Sequence, residues 1–212
     1  MALFTVAPGR PLNQLDRAAV PEAMEALGAA LSVLHGRSTQ GFAPFTRLDP
    51  DRITDAGRLV GTVRPDLAAL CGDLVGALLA SPPPSRPKVL LHGDLHPKNV
   101  LVHEAGVSLV DLDQAGTGPA AAELGGTLAR LWCPRPGDAI SGDTAAAAGE
   151  ALLSSYERGP VHQELLWYAA AALLVERAVR AISRLDVAGI ADLERVLATA
   201  LRWAAAPGEE LR

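Results

Sequence analysis

Cysteine and lysine are nearly absent from this 212-residue chain. The two cysteines, Cys71 and Cys133, stand far apart with no thiol or histidine at metal-ligand spacing, so neither a disulfide framework nor a zinc site is indicated. A reducing, cytoplasmic setting fits that composition. Lys88 and Lys98 are the only lysines, and the net charge of -5 offers no broad basic face for nucleic acid. The longest apolar run, Leu165 to Val175, ends at Glu176-Arg177 and is too short to span a bilayer. The opening Met1-Ala-Leu-Phe-Thr-Val has no basic stretch leading into a long apolar core. No internal repeat is present, and no P-loop pattern of GxxxxGK followed by Ser or Thr occurs. Nucleic acid and membrane are therefore not expected partners, which leaves small molecules or proteins. With 49% apolar residues the chain can bury one substantial core, and one main domain is expected.

The apolar pattern divides near residue 119. Leu3 to Ala7 is a short β-like run closed by Pro8-Gly9, and Glu22 to His35 has apolar residues at helical spacing behind Pro21. Gly41 to Pro65, rich in Gly, Pro, Asp and Arg, reads mostly as loop. A helix is expected from about Pro65 to Leu79, ended by Pro82-Pro83-Pro84. Val89-Leu90-Leu91, Val100-Leu101-Val102 and Val107 to Val110 are short strands, the last two joined by the turn Glu104-Ala105-Gly106. Beyond Pro119 the pattern is helical, in segments near 119–131, 143–157, 160–184 and 188–205, with Pro119 and Pro160 at first-turn positions. Trp132, Trp167, Tyr168 and Trp203 lie in those segments as packing residues. The fold class expected is mainly α with a small β-hairpin element.

Between the strands lies His92-Gly93-Asp94-Leu95-His96-Pro97-Lys98-Asn99, and the hairpin after it ends at Asp111-Leu112-Asp113. Phosphoryl transfer to a hydroxyl needs a carboxylate to orient the nucleophile and accept its proton. It also needs oxygen ligands that hold magnesium against nucleotide phosphates. Asp94, Asn99 and Asp111 are groups of those types, and a hairpin folding the chain back can bring them together. A lone Asp or Asn in a loop is most often a turn or cap residue, and the ordered set is what raises this loop above that reading.

This loop resembles the HGDxxxxN motif of aminoglycoside phosphotransferases, choline kinases and their relatives, the counterpart of the protein-kinase HRDxxxxN loop. Asp111 to Asp113 is similar to the family's metal-binding IDxD. ALGAALSVLHG at Ala26 to Gly36 resembles its helix ending in Leu-His, and LFTVAPGRPL at Leu3 to Leu12 looks like its hinge strand and Pro-Gly turn. The resemblance implies a protein-kinase-like fold represented by its C-terminal lobe, with a hinge-like segment at 1–12, the lobe over 13–212, a catalytic loop at 92–99, a metal loop at 111–113 and C-terminal helices over 119–205. It implies ATP and magnesium as cofactors and a small-molecule hydroxyl as acceptor. Asp94 is then the catalytic base, Asn99 and Asp111 the magnesium ligands, and His92 a brace for the loop. Asp113 is the second acid of the IDxD pattern, and hinge backbone at Thr5, Val6 and Ala7 is the candidate nucleotide contact. Glu123, in Ala121-Ala122-Glu123-Leu124, stands where the family has an aspartate that orders the catalytic loop, one methylene shorter.

With a hinge at residues 3–7, the five-stranded N-terminal lobe has no room upstream, and neither Lys88 nor Lys98 follows a Gly-rich hairpin. The expectation is weak ATP affinity for these residues alone. An edge at Leu3 to Ala7 favours self-association or a partner that supplies the missing lobe. Three readings stand side by side: a truncated phosphotransferase, a chain with a late assigned start, and a true lobe-only remnant acting as a non-catalytic binding or interaction module. Glu150, Glu157, Glu164 and Glu176 either face a cationic substrate or form solvated helix faces.

Overall fold

The computed structural model describes residues 7–134, 142–159 and 162–205. Leu3 to Val6, Pro160 and the Glu209-Glu210 tail lie outside the described residues. The chain divides into two units. The first is formed by 1–44, 88–118 and 139–159, the second by 45–87, 119–138 and 160–212.

In the first unit, β1 (Arg10–Pro11), β3 (Val100–His103) and β4 (Gly106–Leu109) make an antiparallel sheet in the order β1-β3-β4. The β3–β4 hairpin pairs Val100 with Leu109 and His103 with Gly106, and Gly106 takes φ +122°, where a side chain would strain the turn. A second ladder pairs β2 (Val89–Leu91) antiparallel with β5 (Gly116–Gly118), Leu91 opposite Gly116. The strand at Gly116-Thr117-Gly118 was not foreseeable from propensity, since glycines disfavour strands. It forms because β2 offers it a partner on one side, while on the other Thr117 N–H donates to Ala43 O at 2.8 Å. Helix α1 (Val20–His35) starts with Pro21 in its first turn and packs along α5 (Gly142–Ser155). Gly28 permits that approach, because a methyl there would meet Ser155 and the carbonyl of Leu152. At the far end His35 Nδ1 and the Tyr156 hydroxyl share a buried hydrogen bond of 2.8 Å.

The second unit is helical: α2 (Pro50–Val63), α3 (Ala68–Ala80), α4 (Ala120–Trp132), α6 (His162–Ala172), α7 (Val179–Ser183), α8 (Val187–Ala191) and α9 (Leu193–Ala205). Helix α2 replaces the loop expected over 41–65. Asp49 in extended conformation and Pro50 in the first turn open it, and Ile53, Ala56 and Val60 bury one stripe. The many Gly, Asp and Arg residues of the segment occupy the other faces and mask that period. Between α6 and α7 the chain widens into a π-helical turn, Leu173–Ala178. Within it, Glu176 pairs with Arg130 of α4 at 2.9 Å, and Arg177 donates to the carbonyl oxygens of Cys133 and Pro134 and pairs with Asp192. The core gathers Ile53, Leu74, Leu78, Leu173, Leu174 and Leu197, all essentially inaccessible. Trp132 meets Trp203, and Trp167 meets Tyr168, in edge-to-face pairs, in keeping with the packing role expected of them. Among the described residues no helix is long and apolar enough to cross a membrane.

Two of the four glutamates weighed as substrate-facing or solvated are neither. Glu164 is buried against Arg86 at 2.6 Å, and Glu176 is held by Arg130. Both charges are neutralised within the second unit.

Candidate active site

Asp94, Asn99 and Asp111 all belong to the first unit, and short ties fasten their two segments together. Backbone pairing ends at Leu91 opposite Gly116, which delivers His92 beside the stretch that follows Asp113. His92 is fully buried, and its Nε2 lies 2.9 Å from the carbonyl oxygen of Val110. A carbonyl only accepts, so Nε2 carries the proton. Nδ1 is then the acceptor for the Asp94 N–H at 3.4 Å. The Val110 N–H in turn donates to Asn99 O at 3.0 Å. Both backbone groups of Val110, the residue before Asp111, are thus taken by the 92–99 loop.

Inside the loop the Asp94 carbonyl accepts from His96 N–H at 2.7 Å and from Asn99 Nδ2 at 3.0 Å. Because that amide nitrogen must face the carbonyl, Oδ1 of the buried Asn99 is the end left for a cation. Asn99 closes a single 3-10 turn, Pro97–Asn99, against which the turn Leu12–Gln14 packs. Gly93 has φ +81°, and any Cβ there would collide with the carbonyl oxygen of Gln114. The catalytic-type loop and the acidic turn therefore touch backbone to backbone.

Asp111 sits in the left-handed region, φ 64° and ψ 61°, one of two non-glycine residues with positive φ among those described. Such a conformation costs about 1 kcal/mol for an L residue and is tolerated best by Asn and Asp. It turns the chain sharply after Val110 and leaves both Asp111 and Asp113 exposed on the 3-10 turn Leu112–Gln114. Among the described residues no three His, Cys, Asp or Glu side chains gather to hold a metal. The donors offered are one carboxylate and one amide oxygen. That set fits magnesium, which keeps several waters and completes its shell with substrate phosphate rather than with a protein cage.

Glu123 is buried in the first turn of α4, in the second unit, and its carbonyl accepts from the Thr127 hydroxyl at 2.9 Å. Ala7 is half-buried and outside any strand, whereas Thr5 and Val6 lie outside the described residues. Sequence reasoning overlooked Val110 and gave no task to Gly93. The glycine could have been found, since a glycine between the histidine and aspartate of such a motif marks a close backbone approach. Val110 carries no signal, because its role is entirely in its main chain.

A mostly helical chain with small antiparallel sheets, in which an Asp/Asn loop abuts an acidic turn, has a kinase-like layout. The chain belongs to the phosphotransferase enzyme family, whose sequence profile matches residues 1–161. Its fold is similar to that of an aminoglycoside-3'-phosphotransferase of type VIII, at 22% identity and a TM-score of 0.54, covering 77% of this chain and 64% of that one. A choline/ethanolamine kinase family protein from Mesorhizobium loti aligns at 18% identity and a TM-score of 0.61, over 94% of this chain and 72% of its own. A spectinomycin phosphotransferase in complex with ADP and spectinomycin aligns at 16% identity and a TM-score of 0.58, over 94% and 69%. The chain thus spans about two thirds of the length of these structures. No curated protein matches its sequence.

Proposed function

We propose that this chain is an ATP-dependent phosphotransferase that moves the γ-phosphate to a hydroxyl of a small molecule, and that its 212 residues supply the lobe carrying the base and the metal ligands. The observation that carries the reading is the double capture of Val110, which ties Asp111 to the loop of Asp94 and Asn99. Asp94 orients the acceptor hydroxyl and takes its proton at the carboxylate as attack proceeds. His92, with Nε2 at the Val110 carbonyl, holds the Asp94 backbone. Magnesium, bound through Asn99 Oδ1 and Asp111, would supply neutralisation of the phosphate charge. Asp113 adds a second acid beside Asp111, and Ala7 with its neighbours Thr5 and Val6 is the proposed hinge contact for the nucleotide base.

Support also comes from family membership and from the ADP held by one structural neighbour. No lysine among the 212 residues follows a Gly-rich hairpin, so these residues alone are expected to grip nucleotide weakly and to turn over slowly.

The test is kinetic. With ATP, magnesium and a panel of amine-bearing and sugar hydroxyl acceptors, Asp94→Asn should lower kcat by about a hundredfold or more and leave nucleotide affinity nearly unchanged. Equal kcat for variant and parent would remove Asp94 from the mechanism.

A further inference from the structure

Leu185 is the other non-glycine residue with positive φ, at 52°, and nothing in the proposed chemistry uses it. It follows α7, where its N–H donates to Ile182 O at 3.0 Å and the N–H of Asp186 donates to Ala181 O at 2.9 Å. That pair of bonds is a helix-ending turn whose left-handed position is ordinarily filled by glycine, because a side chain there is strained. Here the position carries leucine, and the leucine is not buried in return. Leu185 and Val187 are each 80% exposed, more than any other large apolar side chain among the described residues. Between them Asp186 caps α8 through Oδ1, which accepts from Gly189 N–H at 3.1 Å. A strained backbone thus holds two apolar side chains out into solvent, with the half-buried Asp186 between them.

The same unit carries a groove of about 510 Å³ whose lining has the complementary chemistry. Leu70 of α3 and Ala198, Leu201 and Ala205 of α9 supply apolar surface, and Arg195 and Arg202 supply positive charge. Arg195 is already paired with Asp192, but Arg202 Nη2 donates to the Thr199 hydroxyl at 3.3 Å and brings a guanidinium to the groove. We propose that the Leu185–Val187 knob seats in this groove on a second copy of the chain, the apolar pair against Leu70 and Leu201 and Asp186 toward Arg202. Every copy carries both halves, and an arrangement with two-fold symmetry, in which each knob fills the other copy's groove, closes the pair. This assembly is independent of the phosphotransfer reading.

Sedimentation velocity of the 212-residue chain over a wide concentration range reads the outcome. Reversible dimerisation is expected, and Leu185→Gly should weaken it about tenfold or more, as loss of an anchoring side chain does. Glycine also relieves the left-handed strain, so this variant should melt at the same temperature or higher. Val187→Ser on the knob and Arg202→Glu in the groove should weaken association as well. A chain that stays monomeric at every concentration, or one whose association is untouched by Leu185→Gly, overturns the proposal.

Discussion

A buried histidine with both ring nitrogens engaged is a structural part before it is a chemical one. His92 spans from the Asp94 N–H to the Val110 carbonyl, and Gly93 leaves the space that lets the two segments meet. Replacing His92 by Phe keeps the volume but strands the Val110 carbonyl, which should cost about 1–3 kcal/mol. Gly93→Ala adds a methyl against Gln114 at a left-handed position and should cost about 2 kcal/mol or more. Urea unfolding of both variants measures this, and costs below about 0.5 kcal/mol, the size of an ordinary surface substitution, would mean that the loop and turn are not held by these ties. The motif residues were legible in the sequence because their chemistry is in their side chains. The clamp at Val110 was not, because main-chain hydrogen bonds leave no residue-type signature.

Elements with a strong apolar period were read closely. Helix α1 was expected over 22–35 and forms at Val20–His35, and the β3–β4 hairpin turns at Glu104 and Ala105 as its composition suggested. The failures lie where tertiary partners decide. Helix α2 hides a stripe of Ile53, Ala56 and Val60 among polar residues, and β5 is two glycines and a threonine recruited by β2. The helical segment expected over 160–184 forms over 162–183 but widens into the π turn, whose consecutive Glu176 and Arg177 reach Arg130 near the end of α4 and the carbonyls of Cys133 and Pro134 just past it. Charge pairs were invisible for the same reason. Glu164, 7% exposed at its side chain, meets Arg86 from the proline-rich strap 82–87, while Arg86 itself is 44% exposed. Arg86→Ala leaves a buried carboxylate without its cation. The cost should fall between the ~1 kcal/mol of a surface pair and the ~3–5 kcal/mol of a fully buried one. Adding Glu164→Gln should restore part of it, since a neutral amide is cheaper to bury than a lone charge. Thermal unfolding of the single and double variants checks the ordering, and a double variant less stable than Arg86→Ala would contradict it.

For the molecule as a whole, acid, amide and metal-type carboxylate lie in one unit, while the second unit is built from α2 to α4 and α6 to α9 around its own alanine- and leucine-rich core. The family match covers residues 1–161, parts of both units, and the likeness to kinases is one of fold. The proposed function requires that the 92–99 loop and the 111–113 turn together form a magnesium–nucleotide phosphate site. Amide NMR signals of the 212-residue chain, followed during titration with ADP and magnesium together, test it most directly. Weak, saturable shifts centred on Asn99 and Asp111 are expected, which vanish in Asp111→Ala and are absent with ADP when magnesium is withheld. Signals at Asn99 and Asp111 that stay still up to high nucleotide and magnesium, in a chain that remains folded, would contradict it.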